Sequence, residues 1–262
     1  MNERVAIVPD SALTDVSGNA TRHVLNELEL FNWGPFAGMH RAQIDPLGTT
    51  IIGPTGSGKT TLIDGLMTLI VPQPRYNLAS TGGHESDRTL ISYVRGVLGG
   101  DGSSAQEEIA RPGKTLSGVC ATYSNGVESL KLGAVFWTEG ASNAASDLKR
   151  RWIFSLADGT SLEDWLRRLH EDGARSLMRH GRETGKLRIF ESKTAYLAHV
   201  RKFFDVGVNA FTLLNRAAGL KQLNSIDEIF RDLVLDDRSA YDRALEVAGE
   251  FDNLADNPHY VG

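Results

Sequence analysis

The residues best suited to chemistry form one run, Gly53-Pro54-Thr55-Gly56-Ser57-Gly58-Lys59-Thr60, followed by Thr61. The run matches G-x-x-x-x-G-K-[ST] in full. Glycines there let the backbone close around phosphate oxygens, where a Cβ would clash. Successive N–H groups of such a loop form an anion nest. A helix starting at the loop's end aims its positive pole at the same point. Lys59 then reaches the β- and γ-phosphates as a point charge, and the Thr60 hydroxyl is placed to ligate Mg²⁺. Gly53, Pro54, Thr55, Gly56, Ser57, Gly58, Lys59, Thr60 and Thr61 are therefore the candidate cofactor-binding residues. Lys59 is also a candidate catalytic residue, and ATP and Mg²⁺ are the expected ligands.

Hydrolysis needs more: an acid on the metal, often a second one on water. Two stretches offer acids. Ala134 to Glu139 (AVFWTE) ends in one carboxylate, and Leu233 to Asp237 (LVLDD) ends in Asp236 and Asp237. The apolar residues of the second continue a helical spacing from Ile226, so it reads better as a helix end with exposed acids. Leu116-Ser117-Gly118 starts like an LSGGQ signature but continues Val119-Cys120, and reads as strand.

The elements that must hold the loop are legible around it. Val24 to Phe31 alternates, with Val24, Leu28 and Leu30 on one face and Glu27 and Glu29 on the other, as in a half-buried strand. Asn32-Trp33-Gly34-Pro35 is a turn, Phe36 to Ile44 a second strand, and Asp45-Pro46-Leu47-Gly48 another turn. The β-branched run Thr49 to Ile52 fits a buried strand entering the loop. After it, Leu62, Leu66 and Leu69 share one helical face, with Ile63, Met67 and Ile70 beside them, until Pro72 stops the helix. Residues 73–88 read as loop, Thr89 to Leu98 as helix and Gly99 to Pro112 as loop again. Three strands follow (TLSGVCATYSNG, ESLKLGAVFWTE, RRWIFSLADG) with Asn-Gly and Asp-Gly turn signals. Ser161 to His170, Thr194 to Phe204, Ser225 to Leu235 and Asp237 to Leu254 carry helical spacing, and Phe211 to Asn215 is a short apolar run.

Composition narrows the class. At 262 residues and about 150 per domain, the chain amounts to one or two domains. Hydrophobic residues are 41% and charged residues 23%, which excludes wholesale disorder. The lone Cys120 excludes an internal disulfide framework or a Cys-rich zinc site and suits a reducing cytoplasm. No apolar run is long enough for a transmembrane helix, and the N-terminus lacks the pattern of a secretory signal. The net charge of −5 excludes a uniformly basic coat for nucleic acid. It leaves room for a local one: Lys149 to Lys202 holds thirteen Lys/Arg against seven Asp/Glu. Lys149-Arg150-Arg151 and Arg175, Arg179, Arg182, Lys186 and Arg188 are its densest parts. They suit phosphate contact or an ordinary solvated helical face.

LELFNWGPF, TTIIGPTGSGKTTLIDGLMTLI, PRYNLAS and DRTLISYVRGVLG together resemble the N-terminal head segment of SMC-like ATPases, nearest to the MukB/MksB group and JetC of Wadjet plasmid-defence systems. The likeness spans about residues 24 to 254. It implies an α/β P-loop NTPase fold, specifically an ABC-type N-terminal head lobe with a mixed β-sheet and flanking helices. It also implies hydrolysis that depends on a C-terminal head lobe carrying the signature motif and Walker B. A second head in a homodimer, a kleisin-type subunit and DNA are the implied partners, with no membrane and a cytoplasmic, nucleoid-associated location. By the same likeness Gln222 is a Q-loop glutamine acting on Mg²⁺ or the attacking water, although Leu223 follows it where a Gly is usual; an exposed loop amide is the alternative. Arg88 or Arg95 is a nucleotide or DNA contact, against a solvated helix arginine. Trp33 and Phe36 flank the adenine, against plain core aromatics. The implied organisation is a flexible arm over 1–23, a head lobe over 24–236, and the start of a coiled-coil helix with a truncated tail over 237–262. The length then reads as the front half of a catalytic head. A self-contained small P-loop kinase or NTPase, using Glu139, Asp236 or Asp237, and a nucleotide-gated binding module are the competing readings.

Overall fold

The computed structural model describes residues 22–74, 76, 88–98, 108–207, 210, 211 and 214. The expected arm therefore lies outside the described residues except for Arg22 and His23. So do Gln222, Asp236, Asp237 and the C-terminal helices.

Among the described residues six strands form one sheet in the order β2-β1-β5-β6-β7-β8, antiparallel at every ladder. β1 (Val24–Trp33) and β2 (Phe36–Gln43) make a hairpin through Gly34-Pro35. β5 (Thr115–Ser124) and β6 (Ser129–Thr138) pair over their whole length, from Thr115 opposite Thr138 to Ser124 opposite Ser129. The turn between them is held by Asn125, whose Oδ1 accepts from the N–H groups of Val127 and Glu128. β7 (Lys149–Leu156) and β8 (Leu187–Phe190) complete the sheet. Leu116-Ser117-Gly118 lies inside β5, as its strand reading required.

The helices divide between the two faces. α1 (Lys59–Ile70), α2 (Leu90–Arg95) and α4 (Lys193–Phe204) cover one face, packing Met67, Leu69, Tyr93, Val94, Tyr196 and Val200 onto Leu30, Val119, Leu132 and Trp152. α3 (Leu162–Thr184) covers the other, setting Leu162, Trp165, Leu166 and Leu169 on Cys120, Val135 and Ile153. The period of two in β5–β7 thus feeds two cores, one per face. Burial among these apolar groups holds the Cys120 thiol well above its ordinary range. Lys193 enters α4 with its Nζ 4.9 Å from the Trp152 ring centroid. Burial, with the Arg150 charge nearby, pushes its amine down to about 7.

Several expectations are corrected. Glu29 is buried rather than solvent-facing: it pairs across the ladder with Cys120, on the side of the sheet where α3 packs, and Arg41 Nε meets it at 2.9 Å. The helix expected through Leu98 stops at Arg95, where Gly96 takes a left-handed turn (φ 64°). Val97–Leu98 then pairs as β3 with β4 (Glu108–Ile109), inside what reads as loop. α3 runs fourteen residues beyond His170, interrupted at Gly173 (φ 77°, ψ 175°). The short edge strand β8 has no counterpart in the sequence reading. Thr49 to Ile52 is not a buried strand: it belongs to no ladder among the described residues and is exposed, Ile51 at 37% and Ile52 at 86%.

Candidate functional site

The Gly53–Thr60 loop connects that exposed stretch to α1. Gly53, Gly56 and Gly58 all have positive φ (158°, 84° and 89°). A Cβ on Gly58 would come within 2.6 Å of the Phe36 ring, and one on Gly53 within 2.7 Å of Ser57 Oγ. The loop is thus closed by geometry that side chains would break. Ser57 N–H donates to the Pro54 carbonyl at 3.3 Å, which folds the loop back on itself.

The first rung of the helical ladder is Leu62 N–H to the Gly58 carbonyl, 3.0 Å. The N–H groups of Lys59, Thr60 and Thr61 therefore precede the ladder and open at the helix N-terminus. Gly58 caps α1 without a side chain, leaving that end accessible. Lys59 Nζ donates to the carbonyls of Gly53 and Pro54, each at 2.8 Å, so its charge arches over the loop. Among the described residues no carboxylate pairs with it.

A rigid frame supports α1 from behind. Asn32 takes a left-handed conformation (φ 49°) where the β1–β2 register shifts, and the next residue, Trp33, enters the core. Trp33 Nε1 donates to the Thr61 carbonyl at 3.1 Å, and its ring stacks on Tyr93 at 4.8 Å. The Thr61 side chain is buried against the Gly34 turn, so what it offers the loop is its backbone. Gly65 lets α1 approach β1 closely: a Cβ there would be 2.8 Å from Leu30 Cδ2. Asp64 is buried on the inner side of α1 and accepts a short hydrogen bond from Tyr93 Oη. Burial first, then the Asp64 charge, drives the Tyr93 phenol well above its ordinary range.

The expected site residues separate on this geometry. Gly53 to Thr61 come together as one cradle. Trp33 is a core aromatic that braces the first turn of α1 and is closed to an adenine. Phe36 is half-buried against Gly58, beside His40 at 5.0 Å between ring centroids. Arg88 is exposed, its guanidinium 5.9 Å from the Tyr93 ring centroid. Arg95 is fully buried: it donates to the Arg111, Gly113, Gly140 and Ser142 carbonyls, which ties two loops to the end of α2 and removes it from any ligand contact. Glu139 belongs to the α3 face, opposite α1. It pairs with Lys149 at 3.2 Å and accepts from Trp137 Nε1 at 3.2 Å, so the structure does not bring it to the loop. In the basic stretch, Arg151 pairs with Glu191 at 2.7 Å and Arg179 with Glu183 at 3.9 Å. Arg150, Arg175, Arg182, Lys186 and Arg188 are exposed.

Residues 25–83 match the family model described as the P-loop containing region of AAA domain. The fold is of the P-loop NTPase class. No curated protein matches the chain. The matched span begins in β1 and includes the hairpin, the P-loop and α1, the parts that the Trp33–Thr61 bond joins. Nucleotide binding follows from the P-loop class, and the residues present fit a nucleotide polyphosphate: a loop with three glycines at positive φ, open helix N–H groups and one arching ammonium. Thr60, at the second position of α1, is the group that would face a metal bound to that phosphate. Among the described residues no three His, Cys, Asp or Glu side chains gather as a separate metal site. None of the described helices is long and apolar enough to cross a membrane.

The Asn32–Pro35 turn is where the sequence places it, since Asn and Gly tolerate positive φ. Sequence reasoning missed the Trp33 bond that braces the first turn of α1 and, away from the P-loop, the carbonyl cage of Arg95. Nothing in the sequence marks Arg95 as buried.

Proposed function

We propose that this chain is the ATP-binding N-terminal head lobe of an SMC-like, DNA loop-extruding ATPase, acting in plasmid defence or chromosome organisation. The observation that carries the reading is the junction of a complete P-loop with a surround that is incomplete among the described residues. Ile51 and Ile52 lead into the loop as an exposed apolar segment. A strand entering a P-loop ordinarily lies within a sheet and is covered on both faces. Among the described residues this segment has no ladder partner, and it offers its backbone and two isoleucines to a further piece of sheet. The C-terminal lobe of the same protein supplies that piece in the proposal, bringing Walker B and the signature motif. Gln222 completes the Mg²⁺ and water contacts. A second head closes over the nucleotide, a kleisin-type subunit joins the heads, and DNA engages exposed cations of the basic stretch.

Lys59 holds the β- and γ-phosphates, and the N–H groups ahead of the α1 ladder neutralise charge between them. Bound Mg²⁺ would offset phosphate charge. With no acid presented by the described strands, the chain by itself binds ATP without turning it over. Nucleotide analysis after incubation with Mg²⁺-ATP tests this. Retained ATP, with binding lost in Lys59→Ala, is expected. Multiple turnovers by the purified chain, abolished in Lys59→Ala, would instead establish a self-contained enzyme.

A further inference from the structure

The face of the sheet opposite α1 holds a cavity of about 430 Å³ between α3, the start of β5 and the end of β6. That size falls within the usual range for small-ligand sites. Lys114, Trp137, Glu139, Lys149, His170 and Gly173 set its character. Gly173 interrupts α3 in the cavity wall, in a backbone conformation open mainly to glycine.

Trp137 is singular among the four tryptophans. Trp33, Trp152 and Trp165 are fully buried, whereas Trp137 is half-buried and lines the cavity. The Arg151 guanidinium lies 5.7 Å from its ring centroid. Glu139 accepts from Trp137 Nε1 and pairs with Lys149, both at 3.2 Å. Lys149 foremost, then Trp137 and Lys114, hold its carboxyl below the ordinary range. The Lys149–Glu139 pair is about half exposed on each side, and such pairs are weak enough to exchange for a ligand.

These groups ask for three properties at once. Lys114 and Lys149 call for an anion. The Trp137 face calls for a flat ring. Glu139 would repel a bare phosphate or a carboxylate, so the ligand must also carry an N–H donor. An unpaired nucleotide has all three: a phosphate, a base that stacks on an aromatic side chain, and, in cytosine or adenine, an exocyclic amine that a carboxylate accepts. The geometry points to a binding site for one unpaired nucleotide, its base on Trp137, its amine toward Glu139 and its phosphate between Lys114 and Lys149. The nucleotide comes either free or as an unpaired unit of a DNA strand. The site shares no residue with the P-loop and stands whether or not that loop binds ATP.

The test is tryptophan fluorescence of the full chain carrying Lys59→Ala, titrated with dCMP, a short oligodeoxycytidine, an oligothymidine of equal length and a blunt duplex. Saturable quenching by oligodeoxycytidine is expected, weaker by oligothymidine, which lacks the amine, and absent with duplex. Affinity should fall about tenfold or more in the Lys114→Gln/Lys149→Gln double variant, since phosphate contacts supply much of such binding. Glu139→Gln should erase the preference for cytidine. The quenching should vanish in Trp137→Phe while the three buried tryptophans still report a folded protein. Quenching by dCMP as well assigns the site to a nucleotide alone; quenching only by the oligomer assigns it to a strand. Absence of saturable quenching by both, or equal affinity in the double lysine variant, overturns the proposal.

Discussion

The two proposed phosphate sites, one on each face of the sheet, are built by opposite means. On the α1 face the cradle is backbone: glycines at positive φ, N–H groups ahead of a helical ladder, and one lysine arched over them. Its precision comes from behind, through Trp33 and the close fit of Gly65 on Leu30. On the α3 face the groups are side chains, with Lys114, Lys149 and Glu139 held by one another around Trp137. A backbone cradle recognises a phosphate chain and little else. A side-chain cluster has an acid among its cations, so it selects on the rest of the ligand. The lesson is that the P-loop depends on core packing in a way the cavity does not.

Substitutions can break that contrast. The largest effect is expected at the paired tryptophans. Trp33→Ala should cost about 3–5 kcal/mol of stability and also weaken ATP binding, because the Thr61 carbonyl loses its anchor. Trp165→Ala should cost a similar amount on the other face with ATP affinity of the folded protein unchanged. Denaturant melts alongside calorimetric titration separate the two; equal ATP affinities in both variants would remove Trp33 from the P-loop's support. Next, Gly58→Ala places a Cβ 2.6 Å from the Phe36 ring at a φ of 89°. A loss of about a hundredfold in ATP affinity, near 2.7 kcal/mol, is expected. The counterpart Gly133→Ala crowds Trp165 at 2.4 Å and should cost about 1–3 kcal/mol of stability alone.

A pH series sharpens the comparison further. Lys193 has its amine lowered from an ordinary 10.5 to about 7. Between those values the unfolded chain binds more protons than the fold, so Lys193 makes stability rise with pH from about 7 toward 10. Lys193→Met should flatten that rise in denaturant midpoints; an unchanged slope would show the amine to be solvated. The smallest effect belongs to the α3 cap. Ser161→Ala should cost about 1 kcal/mol at neutral pH. Asp164, held below its ordinary 3.8 first by the Ser161 side chain, contributes fully above that value and loses its contribution as pH falls through its folded one. The gap between wild type and Ser161→Ala should therefore narrow in acid, as thermal melts would record.

The sequence was most legible where local chemistry and structure coincide. The P-loop, α1 with its stop before Pro72, and the three long strands follow from glycine spacing, apolar periodicity and turn residues. What escaped it was long-range. Glu29 looks solvent-facing because alternation cannot tell a strand covered on both faces from one covered on one. Arg95 looks like a surface arginine because its partners are carbonyls 16 to 47 residues away. The second half of α3 is hidden by its charges and by Gly173. Thr49 to Ile52 has the composition of a buried strand, yet among the described residues it has no partner.

The most direct test of the central claim is calorimetric titration of Mg²⁺-ATP into the wild-type chain and Lys59→Ala. Saturable binding by wild type, weakened about a hundredfold or more in a variant that melts at the same temperature, is the predicted result. Equal affinity in both would contradict the assignment of Gly53 to Thr61 as the phosphate cradle.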